Sequence, residues 1–190
     1  MQTVSNVIQL LHLALVPILA KADVVVDATA GNGHDTLFFA EHTSRSAEIY
    51  AFDVQPEALA NTKICTAAYA ERIHYLLCNH ENIEKKVPRE IDVCMFNLGY
   101  LPGGSHEMAT QHESTRKAVE SVCTKLKVNG ICGIIVYPGH PEGKIEADIL
   151  QNMLTNLSQR EFTVGCYRLS NHKKTAPYAY LIERVRSGKQ

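Results

Sequence analysis

The chain has no Cys-x-x-Cys pair. Its six cysteines, Cys65, Cys78, Cys94, Cys123, Cys132 and Cys166, are dispersed, and several stand inside apolar runs. That pattern lacks the usual zinc-ligand spacing and argues for reduced core thiols rather than a disulfide framework. No metal site is expected. Neither sign of charge is in excess: 19 Lys and Arg face 20 Asp and Glu, a formal net charge of −1. A chain-wide basic field is therefore missing, and any contact with nucleic acid has to use a local patch. No apolar run is long enough to cross a bilayer. Residues 7–20 come nearest, but they carry His12 and Pro17 and lack a basic region ahead of them, so they read neither as a span nor as a secretory signal. A cytoplasmic location is expected. No repeat or low-complexity linker marks a boundary, so residues 1–190 read as one domain with enough chain for a sizeable core.

What is present is an alternation of extended and helical signals. Val4, Val7, Ile8, Leu11 and Leu15, at spacings of three and four, predict a covering helix over residues 3–20 that kinks or breaks at Pro17. Strands are expected at 24–28, 48–53, 73–78, 91–97 and 131–137, each a β-branched or apolar run followed by a polar or glycine-rich turn. Helices are expected at 35–41, 56–69, 114–127 and 144–158; Pro56 opens the second and Asn129-Gly130 closes the third. Residues 84–89 read as a short polar connection, and 162–169 with 178–185 as a closing hairpin. Repeated β/α alternation ending in a hairpin predicts an α/β fold: a seven-stranded, mostly parallel sheet with an antiparallel C-terminal strand and helices on both faces.

In an open sheet of this kind, ligands sit beyond the carboxyl ends of the strands. Five strand ends are polar or glycine-rich: Asp27 to Gly33, Asp53, Asn79 to Asn82, Asn97 to Tyr100 and Tyr137 to His140. The first opens Asp27-Ala28-Thr29-Ala30-Gly31-Asn32-Gly33-His34-Asp35-Thr36, a strand, a Gly-x-Gly turn and a helix start, which lets the backbone approach an adenosine-type ligand closely. Thr36 stands where the dinucleotide fingerprint has its third glycine, and no Tyr-x-x-x-Lys pair offers proton transfer. A nicotinamide-dependent dehydrogenase therefore fits less well than a methyltransferase using S-adenosyl-L-methionine (SAM). Asp53 can accept hydrogen bonds from both ribose hydroxyls, or serve the helix that begins at Pro56. His80 and Glu81 fall where such folds meet adenine; a plain turn competes. His34 and Asp35 read either as neighbours of the methionine end or as a surface residue and a helix N-terminal charge.

Asn97-Leu98-Gly99-Tyr100 resembles the Asn/Asp-Pro-Pro-Tyr/Phe motif of methyltransferases that act on nitrogen. The Asn97 oxygen and a following backbone carbonyl can accept the two N–H groups of a primary amine and aim its lone pair. Tyr100 can stack on a planar base or simply cover the core. Leu98-Gly99 in place of Pro-Pro leaves the carbonyl geometry open. His140 reads three ways: proton acceptor for the incoming ammonium, positioning residue, or plain loop histidine. Cations cluster locally as Lys85, Lys86 and Arg89; Arg116 and Lys117; Lys173 and Lys174; and Arg184, Arg186 and Lys189. Each is ordinarily a solvated face, and each could contact phosphate.

Taken together, the stretch from Asp27 to Thr36, Ala51-Phe52-Asp53-Val54-Gln55, Asn97-Leu98-Gly99-Tyr100-Leu101-Pro102-Gly103-Gly104 and Val136-Tyr137-Pro138-Gly139-His140-Pro141-Glu142-Gly143-Lys144 resemble the YtqB-type rRNA methylase family, in order and over nearly the whole chain. The resemblance implies a Rossmann-like class I methyltransferase. It implies SAM held by Asp27, Thr29, Gly31, Asn32, Gly33, His34, Asp35, Asp53, Gln55, His80, Glu81 and Asn97, with Asn97, Tyr100 and His140 as catalytic residues. It further implies a tRNA substrate contacted at the anticodon region, whose wobble 5-aminomethyl-(2-thio)uridine becomes the 5-methylaminomethyl form, and a homodimer. Pro138 stands where many relatives are expected to carry histidine, which leaves His140 as the candidate there.

Overall fold

The computed structural model describes residues 6–99 and 112–186. Tyr100 and the Leu101-Pro102-Gly103-Gly104 run lie outside the described residues. The three valines that open β1 (Val24–Asp27) are fully buried, as a mid-sheet strand covered on both faces requires. β2 (Glu48–Asp53) and β4 (Ile91–Leu98) flank it. With β3 (Ile73–Leu77), β5 (Leu126–Val136), β6 (Phe162–Tyr167) and β7 (Tyr178–Arg184) they form a seven-stranded sheet in the order β3-β2-β1-β4-β5-β7-β6. Among these strands only β7 runs antiparallel, inserted between β5 and β6. The expected architecture is the observed one.

The period-2 alternation of the strands divides the core between two faces. Val24, Val26, Phe96, Ile134 and Val136 pack with α4 (Ile83–Lys86), α5 (His112–Lys125) and α6 (Pro141–Thr155). Val25, Val93, Met95 and Ile135 pack with α1 (Val7–Leu19), α2 (His34–His42) and α3 (Pro56–Cys65). α1 starts at Asn6, whose side chain accepts from the Gln9 N–H, and buries Leu11, Leu15 and Leu19. It comes so close to β5 that a Cβ on Gly133 would stand 2.8 Å from a Leu11 methyl. Among the described residues no helix is long and apolar enough to cross a membrane.

Five boundaries differ from expectation. α1 runs through Pro17 without a break: Leu13, whose carbonyl the proline leaves without a donor, is exposed to water. The helix after β2 ends at Cys65 and gives way to a 3-10 segment, Ala67–Arg72, while part of the polar connection at 84–89 is the short helix α4. Asn129-Gly130 does not close α5. That helix ends at Lys125, Leu126 already pairs with Ile91, and Asn129 takes φ 67 at a register shift inside β5. Strand pairing outweighed local helix-ending chemistry there. α6 begins at Pro141 rather than 144, because His140 caps it and Pro141 fits its first turn.

Candidate active site

The carboxyl ends of the five parallel strands β1 to β5 lie on one edge, so the topology gathers the strand-end clusters. Asp27 lies beneath the first loop, 1 % exposed. One of its oxygens accepts from the Thr29 N–H at 3.1 Å and the other from Thr36 Oγ1 at 2.5 Å. Burial, with the nearby charge of Asp35, pushes its carboxyl up to about 7. The acid that ends β1 thus ties the turn down from inside. Gly31 and Gly33 both take positive φ, 54° and 84°. A Cβ on Gly33 would meet Thr62 Cα at 2.7 Å, so α3 closes directly against the loop. The exposed Asn32 accepts from Asn61 Nδ2 at 3.0 Å, and His34, which opens α2, is exposed.

Asp53 ties the end of β2 to this loop. Its Oδ2 accepts from the Gly31 N–H and its Oδ1 from the Gln55 N–H, both at 2.9 Å. Each oxygen keeps a second lone pair for a further donor. His80 opens a 3-10 turn, His80–Asn82, set by the Asn79 side chain accepting from the Glu81 N–H at 2.9 Å. His80 is buried with Nδ1 3.2 Å from the Ala28 carbonyl. Nδ1 therefore carries the proton and Nε2 holds a lone pair, which has no partner among the described residues. Burial lowers its pKa to about 4, so the ring is neutral. Glu81 beside it is exposed.

The other half of the site is a chain of four side chains from α1, α2, β4 and the residue that follows β5. His12 Nε2 lies 2.8 Å from Asp35 Oδ1; Asn97 Nδ2 donates to Asp35 Oδ2 at 3.1 Å; Tyr137 OH donates to Asn97 Oδ1 at 2.8 Å. The Asn97 backbone N–H donates to Thr29 Oγ1 at 2.7 Å, which joins the chain to the first loop. Phe38 stacks on the His12 ring, with centroids 3.8 Å apart. An ionised Asp35 only accepts, so the Asn97 amide nitrogen faces it and the amide oxygen faces Tyr137 with one lone pair to spare. Burial and the Asp35 charge raise the Tyr137 pKa, which keeps its hydroxyl a donor.

Asp35, expected at the methionine end or as a helix-start charge, is 7 % exposed and has both oxygens engaged inside this chain. His140 caps α6: its Nδ1 accepts from the Gly143 N–H at 3.1 Å. In the neutral ring the proton then sits on Nε2, so no lone pair is free to take a substrate proton while the cap holds. Sequence alone assigns no role to His12 or Tyr137. His12 shows there only as a polar break in an apolar helix, and Tyr137 only as part of a strand-end cluster. Among the described residues, no three His, Cys, Asp or Glu are grouped to hold a metal ion.

Residues 49–183 match the model of the family described as "Putative rRNA methylase". A tRNA (mnm5s2U34)-methyltransferase of Arabidopsis thaliana chloroplasts is 27 % identical over 185 residues, 91 % of this chain and 68 % of that protein. The crystal structure of a "putative rRNA-methylase" from Clostridium thermocellum superposes with a TM-score of 0.92 at 30 % identity, covering 96 % of this chain and 99 % of that one. A "putative methyltransferase" from Streptococcus mutans, solved with S-adenosylhomocysteine bound, gives a TM-score of 0.85 at 34 % identity over 94 % of this chain and 98 % of that one.

Proposed function

The chain belongs to the "Putative rRNA methylase" family and is a SAM-dependent methyltransferase, and from that premise we propose that its acceptor is a primary amine on RNA. The amine is the aminomethyl group of 5-aminomethyl-(2-thio)uridine at the tRNA wobble position, and the product is the 5-methylaminomethyl form. The observation that carries this reading is the Asn97 amide at the end of β4, held on both sides with one oxygen lone pair unspent. The name of the Arabidopsis relative supports the same acceptor.

SAM fits the residues present. The spare lone pairs of Asp53 would take the two ribose hydroxyls, and the buried, partnerless Nε2 of His80 would take the adenine amino group. Thr29, Gly31, Asn32, Gly33, His34, Gln55 and Glu81 would line the remaining contacts, with Asp27 fixing the loop beneath them. When bound, SAM supplies a methyl carbon activated by a sulfonium. The chain's part is then orientation and exclusion of water. Asn97 Oδ1 accepts one N–H of the neutral amine, so its lone pair is aimed rather than free to rotate. Asp35 and Tyr137 prevent the amide from flipping. The family resemblance gives Tyr100 the stacking role on the acceptor base, and His140 holds the start of α6. The reading carries with it one domain over residues 1–190, recognition of the tRNA anticodon region, and a homodimer, which light scattering of the purified chain measures.

Mass spectrometry of tRNA nucleosides from cells lacking the protein tests the assignment. Accumulation of the aminomethyl form is expected. An unchanged tRNA profile together with loss of a methyl mark on ribosomal RNA would overturn it.

A further inference from the structure

A cavity of about 510 Å3 opens on the α1 side of the catalytic edge, within the ~300–1,000 Å3 range of small-ligand pockets. Ile135 of β5 and Tyr137 just after it form its floor, Val7 and Gln9 in the first turn of α1 one wall, and Leu169 and His172 of the β6–β7 connection another. Tyr137 joins it to the amine half of the site, since its hydroxyl donates to Asn97. The walls divide about evenly between apolar and polar surface, with amide, phenol and imidazole groups among the aliphatic ones, as suits a planar base read at its edge.

Strand register places the β6–β7 connection. β7 begins with Tyr178 opposite Val136, and β6 ends with Tyr167 opposite Ala179, so residues 168–177 must lie at the catalytic edge. That segment, Arg168-Leu169-Ser170-Asn171-His172-Lys173-Lys174-Thr175-Ala176-Pro177, contains three permanent cations and no acid. Arg168 lies against the Tyr178 ring, 3.6 Å from its centroid. Lys173 and Lys174 are exposed and make no ion pair among the described residues. The segment is held in place: the His172 N–H donates to the Leu169 carbonyl at 3.2 Å and the Ala176 N–H to the Lys173 carbonyl at 2.9 Å.

We propose that this cavity receives the acceptor base, swung out of a single-stranded RNA loop, while Lys173 and Lys174 on its rim bind the flanking phosphates. The inference rests on the reading of RNA as acceptor and adds the surface that holds it. A base turned out of its stack needs both a pocket for its face and fixed charge for the backbone on either side. Here the two stand on one segment.

The test uses the purified full chain and tRNA from cells that lack it. For Lys173→Ala/Lys174→Ala, tRNA Kd should rise at least tenfold, and the slope of log K against log salt should become shallower by about 2. SAM affinity should stay within about twofold, which shows that the variant is folded. Ala176→Trp fills the cavity from an exposed loop and should lower kcat/KM for tRNA at least tenfold, with SAM affinity again retained. Wild-type tRNA affinity in the lysine variant overturns the phosphate role, and wild-type kcat/KM in Ala176→Trp overturns the base pocket. Failure of the wobble assignment is separate: wild-type enzyme would then methylate another RNA, and the same variants would be read on that RNA.

Discussion

The donor half of the site and the acceptor half are built differently. On the donor side, side chains mostly hold backbone: Asp53 binds the N–H groups of Gly31 and Gln55, and Asp27 binds that of Thr29, while Thr36 and Asn61 add side-chain bonds to Asp27 and Asn32. The side-chain-to-backbone partners are 2 or 22 residues apart. On the acceptor side, side chains hold side chains: His12 to Asp35, Asp35 to Asn97 and Asn97 to Tyr137, over separations of 23, 62 and 40 residues. The backbone is present whatever the residue, so the donor half depends on few identities and on glycine-permitted geometry. The acceptor half depends on four identities at once, because each polar atom is satisfied by a particular neighbour.

Paired substitutions separate the halves. Asn97→Ala has the largest expected effect: loss of the aimed acceptor oxygen should lower kcat by ~10³-fold or more, from loss of positioning, while SAM affinity by calorimetry stays within a few-fold. Asp53→Ala should do the reverse. Losing two charge-assisted hydrogen bonds should weaken SAM binding by roughly 100-fold, with kcat largely restored at saturating SAM. If both variants changed Kd and kcat alike, the two halves would be one unit. Tyr137→Phe is finer: it removes one hydrogen bond to Asn97 and should cost about tenfold in kcat, little in SAM affinity.

The smallest effect is expected outside both halves. Glu146 on α6 is buried and accepts from Thr115 Oγ1 at 2.7 Å, and burial raises its pKa to about 7. The folded state therefore favours the protonated acid. This stabilisation is fully present below the unfolded pKa near 4.5 and is lost as pH rises through about 7. Glu146→Gln removes the titration. In urea unfolding, the variant should gain about 1–3 kcal/mol relative to wild type between pH 4.5 and 8, with kcat and SAM affinity unchanged.

The strands, the glycine turn and the acids that end β1 and β2 were legible in the chain because each is written in a few adjacent residues. Three buried valines, a Gly-x-Gly pair and Asp53 before Pro56 carry their consequences locally. Asn129-Gly130 reads locally as a helix end, but the pairing of Leu126 with Ile91 outweighs that preference. His140 carries the residue type of a proton acceptor, but the α6 N-terminus takes its lone pair.

What the sequence by itself determined is the order of strands and helices, the faces they bury and the edge where polar residues collect. These follow from periodicity and turn chemistry, which act over a few residues. What only the tertiary structure decided is which polar atom meets which: that Asp35 turns both oxygens to His12 and Asn97, that Tyr137 fixes the Asn97 amide, and that Lys173 and Lys174 rim the same edge. Those partnerships join strands and helices far apart in the chain. They exist because crossovers in a parallel sheet bring every strand's carboxyl end to one side, where buried polar groups must find partners.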